Sequence, residues 1–163
     1  MKRLIILRHA KSSWEDMGLS DFDRPLNKTG IIGAQNMGKF INAKEGKVDL
    51  ILSSSATRAQ ETAQIIAKAI NYDVNRIETE KGLYLAWVNE ILKSISKIQD
   101  NINKCIIVGH NPGFTELINY FGIRLDNLPT SSAACFDFST ESWQDVSANN
   151  ADLIWFQLAR DLR

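Results

Sequence analysis

Lys2-Arg3-Leu4-Ile5-Ile6-Leu7-Arg8-His9-Ala10-Lys11 decides how this chain is read. The apolar run predicts a first strand over Arg3 to Leu7, and a histidine beside a guanidinium stands at its exit, where α/β proteins place reactive groups. The chain has 2 histidines. The other, His110, follows a second run of the same kind, Cys105-Ile106-Ile107-Val108-Gly109, and precedes an abrupt turn at Asn111-Pro112. Ligands collect at the carboxyl ends of the strands in open parallel sheets, so two distant segments can bring both imidazoles into one crevice.

The rest of the chain alternates apolar runs with helical periodicities, which argues for βαβ units and a mostly parallel sheet. After strand one, the polar segment Lys11 to Asn27 reads as a long loop, a common place for function. Asn27 is a suitable N-cap for a helix from Lys28 to Ala43, with Ile32, Met37, Phe40 and Ile41 as core contacts and Gly46 beyond its end. Its three glycines weaken it. Strand two is Val48 to Leu52. Ser53-Ser54-Ser55 then turns the chain into a helix from Thr57 to Ile70 with Ala59, Ala63, Ile66, Ala67 and Ile70 on its apolar stripe, leaving Arg58 in the first turn. A short strand at Arg76 to Glu78, a helix from Val88 to Ile98 and a strand at Cys105 to Val108 follow. Pro112 suits the first turn of a helix running through Phe121. Two late strands, Ala134 to Phe138 and Leu153 to Leu158, complete an antiparallel edge.

At 163 residues the chain fits a single domain, residues 1–163, that buries roughly 70% of its unfolded surface. With 44% hydrophobic and 23% charged residues it has the composition of a globular protein rather than a disordered one. The 19 basic and 19 acidic residues cancel, so nothing global favours nucleic acid or an anionic membrane as partner. A local, phosphate-sized positive site is compatible with that balance. The apolar run after Met1-Lys2-Arg3 stops at Arg8, short of the about 7–15 residues of a signal peptide core. No run approaches the ~20 residues of a membrane span. Cys105 and Cys135 have neither metal-site nor disulfide spacing and read as buried thiols, so the expected location is cytoplasmic. Trp87, Trp143 and Trp155 read as packing residues, while Trp14, in the loop after His9, is placed to wall a pocket.

Three strand ends thus carry Arg8-His9, Ser53 to Arg58, and His110-Asn111, and this chemistry converges on the phosphoryl group. Guanidiniums fork onto phosphate oxygens, a neutral imidazole can take the phosphoryl group covalently, and a second imidazole, if protonated, can donate to an equatorial oxygen as charge redistributes. The scheme requires no metal or cofactor.

The same residues resemble the histidine phosphatase superfamily, with its phosphoglycerate mutase-like fold, and in particular its small SixA-type phosphohistidine phosphatases. Leu7-Arg8-His9-Ala10-Lys11 resembles the family's Arg-His-Gly signature with Ala for Gly. Asp23-Arg24-Pro25-Leu26-Asn27-Lys28-Thr29-Gly30, Ser53 to Ala63, Val108-Gly109-His110-Asn111-Pro112 and Leu128-Pro129-Thr130-Ser131-Ser132-Ala133 resemble four further blocks in the same order. The resemblance implies a three-layer α/β/α sandwich and the catalytic set His9, Arg8, Arg58 and His110. In it His9 accepts the phosphoryl group, Arg8 and Arg58 clamp phosphate, and His110 completes the pocket. It also implies a phosphate contact from Ser12 or Ser13. Asp23-Arg24 reads as a structural ion pair or loop anchor.

Two departures matter. Ala10 adds a Cβ where the family has glycine. No carboxylic acid stands at either family position for protonating an alkoxide: Asn111 follows the second histidine, and Gly82-Leu83-Tyr84-Leu85-Ala86-Trp87 carries no carboxylate. Asp16, Asp21, Asp23 and Glu61 are the carboxylates the fold could bring near. The absence favours a good leaving group, and so hydrolysis of phosphohistidine on proteins. A phosphatase for a small phosphorylated metabolite is the alternative, a mutase is disfavoured, and a non-catalytic phosphate-binding adaptor has no need of a nucleophile.

Overall fold

The computed structural model describes residues 1–162. One sheet of six strands runs through the molecule: β1 Lys2–Arg8, β2 Leu50–Ser54, β3 Glu78–Glu80, β4 Lys104–Gly109, β5 Ala133–Phe138 and β6 Ala151–Gln157, in the order β3-β2-β4-β1-β5-β6. β1 to β4 are mutually parallel, and β5 and β6 run antiparallel at one side. The helices are α1 Lys28–Glu45, α2 Thr57–Ala69, α3 Val88–Ser96 and α4 Gly113–Tyr120.

The layers follow from side-chain alternation along β1. Successive strand residues point to opposite faces: Leu4 and Ile6 join the core under α3 and α4, whereas Ile5 and Leu7 join the one under α1 and α2. Both faces are covered, which is why the strand reads as an unbroken apolar run. The result is the expected three-layer α/β/α sandwich, mostly parallel with an antiparallel edge.

Local chemistry explains where expectation and structure differ. The third strand lies two residues later than Arg76 to Glu78, because the Asp73 side chain accepts from Asn75 N–H and caps a 3-10 turn over Val74–Arg76. Ile32, expected in the core, is 57% exposed, while Met37 and Ile41 are buried. Trp87 is also exposed rather than packed; Trp143 is buried, and Trp155 packs edge-on against Phe40.

The glycines of α1 serve close packing. A Cβ on Gly30 would stand 2.0 Å from the Lys11 carbonyl oxygen, and one on Gly38 would stand 2.6 Å from Ala69 Cβ. Asn27 caps α1, its side-chain oxygen accepting from Gly30 N–H at 2.8 Å. The Ala10 Cβ, for its part, lies in a small buried cluster with Leu26 and Ala34, and its N–H donates to Thr62 Oγ1.

The topology positions the site. β1 and β4 pair in parallel with Arg8 opposite Gly109, so His9 and His110 leave the sheet side by side. β2 lies on the other side of β4, with Ser53 opposite Val108, which brings Ser54 and the first turn of α2 to the same end.

Candidate active site

At these carboxyl ends lies an open cavity of about 270 Å³. Among the described residues, four cations line it, Arg8, Lys11, Arg24 and Arg58, together with both histidines and no carboxylate. In a chain of zero net charge this is a strongly positive local field, focused by a partly buried site.

His9 is buried, and its ring is held in one tautomer. Nδ1 lies 2.7 Å from the Ala10 carbonyl oxygen; a carbonyl only accepts, so Nδ1 carries the proton and Nε2 keeps its lone pair. Arg58 Nε–H donates to that Nε2 at 3.4 Å. Burial, with Arg58, Arg8 and Arg24 nearby, holds the His9 pKa down at about 4, although the Ala10 carbonyl acts in the opposite sense. The ring is therefore neutral at pH 7.

The His110 ring packs against His9 at 5.1 Å between centroids, tilted by 51°. Burial first, then the neighbouring His9 and Arg58, lower its pKa to about 3, so it too is neutral. Its Nε2 lies 2.7 Å from Ser54 Oγ. The Ser54 hydroxyl has no other acceptor among the described residues, so it donates to Nε2 and leaves the proton on Nδ1.

Among the described residues, the buried side-chain nitrogens without a hydrogen-bond partner are Arg8 Nε, Arg24 Nε and His110 Nδ1. All three belong to residues lining this one cavity. Leaving a buried donor unpaired costs about 1–3 kcal/mol, and three such atoms on residues around one cavity lined by guanidiniums make an environment that suits an anion.

The remaining expectations separate. Ser12 lies on the cavity wall, where its hydroxyl takes a short hydrogen bond from Arg24 Nη1. The Ser13 hydroxyl instead accepts from Glu15 N–H and caps a turn. Arg24 pairs with Asp21, not Asp23, at 3.0 Å, and its guanidinium stacks on Trp14 at 3.6 Å. Trp14 does wall the cavity. Asp23 meets Ser20, Asp16 caps Gly18, and Glu61 accepts from Leu26 N–H.

Asp21 is the carboxylate that joins the site. It reaches Arg58 Nη2 at 3.0 Å and takes a 2.6 Å hydrogen bond from Tyr84 O–H. Burial alone would raise its pKa, but Tyr84, Arg24 and Arg58 outweigh that and hold it well below the usual carboxylate range. It orders the guanidiniums and has no proton to give at neutral pH. Tyr84 in turn meets His110 edge-on at 5.4 Å. The sequence offers Asp21 only as one of four carboxylates the fold could bring near, not as the ionised partner of Arg24, Arg58 and Tyr84, and it does not single out Tyr84 or Ser54; the Asp-Arg-Pro block and the Ser-rich turn mark their neighbourhoods.

Asn111 is committed to structure. Its Nδ2 donates to the Leu128 and Asn127 oxygens, and its Oδ1 accepts from Thr115 N–H and Oγ1–H. Leu128 O also accepts from Arg8 Nη1, so one carbonyl of the late loop positions both Arg8 and Asn111, the neighbour of the second histidine.

Residues 4–84 match the family model of the histidine phosphatase superfamily (branch 1). An uncharacterised protein of Mycobacterium tuberculosis is 30% identical, over 94% of this chain and the whole of that one. Among solved structures, a crystal structure described as a candidate phosphohistidine phosphatase SixA from Agrobacterium tumefaciens is 31% identical, with TM-score 0.79 over 96% of this chain and 97% of the other. The protein histidine phosphatase SixA complexed with tungstate shares the fold at TM-score 0.83 and 18% identity, over 99% of each chain. The chain belongs to the histidine phosphatase superfamily.

Proposed function

We propose that this protein is a phosphatase that removes the phosphoryl group from phosphohistidine on proteins through a covalent intermediate on His9, within one domain. The observation that carries this is the His9 ring: neutral, with Nδ1–H fixed on the Ala10 carbonyl and the Nε2 lone pair facing Arg58. Attack by Nε2 on phosphorus forms a P–N bond while the bond to the substrate's imidazole breaks. Positive charge arising on the His9 ring meets the Ala10 carbonyl 2.7 Å away. Arg8, Arg58 and Arg24 offer guanidinium donors to the phosphoryl oxygens, and His110 Nδ1–H, set by Ser54, offers a neutral one. His110 need not be protonated to serve. Water then attacks phosphorus as the P–N bond to His9 breaks and its electron pair returns to Nε2; the water's protons pass to the departing hydrogen phosphate and solvent, and His9 is neutral again.

The absence of a protonated carboxyl among the cavity residues supports the choice of leaving group. A phosphohistidine protonated on its second ring nitrogen departs as neutral imidazole and needs no further proton, whereas an alkoxide does. No step calls on a metal ion. No helix among the described residues is long and apolar enough to cross a membrane.

The test compares turnover of a phosphohistidine-bearing protein with that of an alkyl phosphate. The account expects a kcat/KM advantage for the former of at least about 10³-fold, matching the usual contribution of a general acid, and loss of both activities in His9→Ala. Equal rates would move the substrate to a phosphorylated metabolite, and activity retained by His9→Ala would remove the covalent route.

A further inference from the structure

A second cavity of about 300 Å³ adjoins the first and shares Lys11 and Thr130 with it. One wall is the outer side of α1, with Ile32 and Asn36; the other is the late loop from Pro129 to Ser132, with Arg160 of the C-terminal turn completing it. Among the described residues, its charged members are Lys11 and Arg160, both exposed, and no carboxylate lines it. Ile32, which the core leaves exposed, gives it an apolar side.

The walls are fastened to the catalytic strand's exit. Gly30 sits against the Lys11 backbone with no room for a Cβ. Ser131 N–H donates to the Arg8 and His9 carbonyls at 3.2 Å, and Ser132 Oγ accepts from Ala159 N–H at 3.0 Å. The groove is therefore a preformed continuation of the phosphate pocket, available without ordering cost.

We propose that this groove holds the polypeptide flanking the phosphorylated residue, with an apolar side chain against Ile32 and Pro129 and a carboxylate facing Lys11 and Arg160. The proposal rests on reading the adjoining pocket as the phosphoryl site. Continuity with that pocket and the unbalanced pair of cations select an acidic, partly apolar peptide segment. A small metabolite, seated wholly in the first cavity, would leave the groove unused.

Two short peptides carrying a non-hydrolysable phosphohistidine analogue test this, one flanked by leucine and glutamate, the other by leucine and lysine. Each is measured as a competitive inhibitor of p-nitrophenyl phosphate hydrolysis. The glutamate peptide is expected to bind about tenfold more tightly, and Arg160→Glu to abolish that preference. Ile32→Ser should weaken both peptides alike. Arg160→Glu should leave p-nitrophenyl phosphate turnover within about twofold of wild type, which also reports that the variant is folded. Equal affinities for the two peptides, or a preference surviving in Arg160→Glu, would overturn the groove. If wild type shows the peptide preference but turns over no phosphohistidine protein, the substrate reading falls and the groove stands.

Discussion

His9 and His110 are two imidazoles kept neutral by burial among guanidiniums, and that fixes how the protein responds to acid. Because the folded pKa values, about 4 and about 3, lie below the unfolded value near 6.5, the unfolded chain binds more protons between them. Stability from these groups is therefore full above pH 6.5 and is lost as pH falls toward 4 and below. Activity should follow His9 alone. With the substrate's own ionisation divided out, kcat/KM is expected to hold within about twofold from pH 7 to pH 5 and to fall near pH 4, where Nε2 takes a proton. An acid limb at pH 6.5 would mean that His9 is not the buried, neutral nucleophile. Arg8-His9, Arg58 and His110 were legible in the chain because each adjoins a strand end or opens a helix. Asp21 was not, since its partners Arg58 and Tyr84 stand 37 and 63 residues away and nothing in the loop's composition separates it from Asp16 or Asp23.

Among the elements, α1 shows how a locally poor helix becomes a fixed one. Its glycines read as weaknesses on propensity alone, yet Gly30 allows the helix to touch the Lys11 backbone and Gly38 allows it to touch α2. In an unconstrained helix Gly→Ala stabilises by up to about 1 kcal/mol. Here Gly30→Ala forces a Cβ into a carbonyl oxygen, so a loss of roughly 1–3 kcal/mol is expected from denaturant unfolding, and a neutral or stabilising result would show that the contact is not rigid. β1 and β4 were readable because strands buried on both faces are unbroken apolar runs. β3 was misplaced because it has 3 residues, too few to show a period, and its start is set by the Asp73 cap. Ile32 and Trp87 were assigned inward because apolar residues usually are; the first instead lines the groove beside the pocket.

Across the whole molecule, equal charge totals conceal an uneven placement. Four of the cations meet around one cavity with no carboxylate among its described lining, and Asp21 beside it is spent on holding two of them. The parallel register of β1 with β4, and of β4 with β2, assembles this set from three segments far apart in the chain. The central prediction of the proposed mechanism is a phosphoryl group carried on His9. Rapid mixing with a phosphohistidine protein, an alkaline denaturing quench on the millisecond scale and mass spectrometry of the peptides would read it directly. The account predicts a transient phosphoryl group on the peptide containing His9, absent in His9→Ala; turnover proceeding with that peptide unmodified, or phosphate appearing on His110 instead, would contradict it.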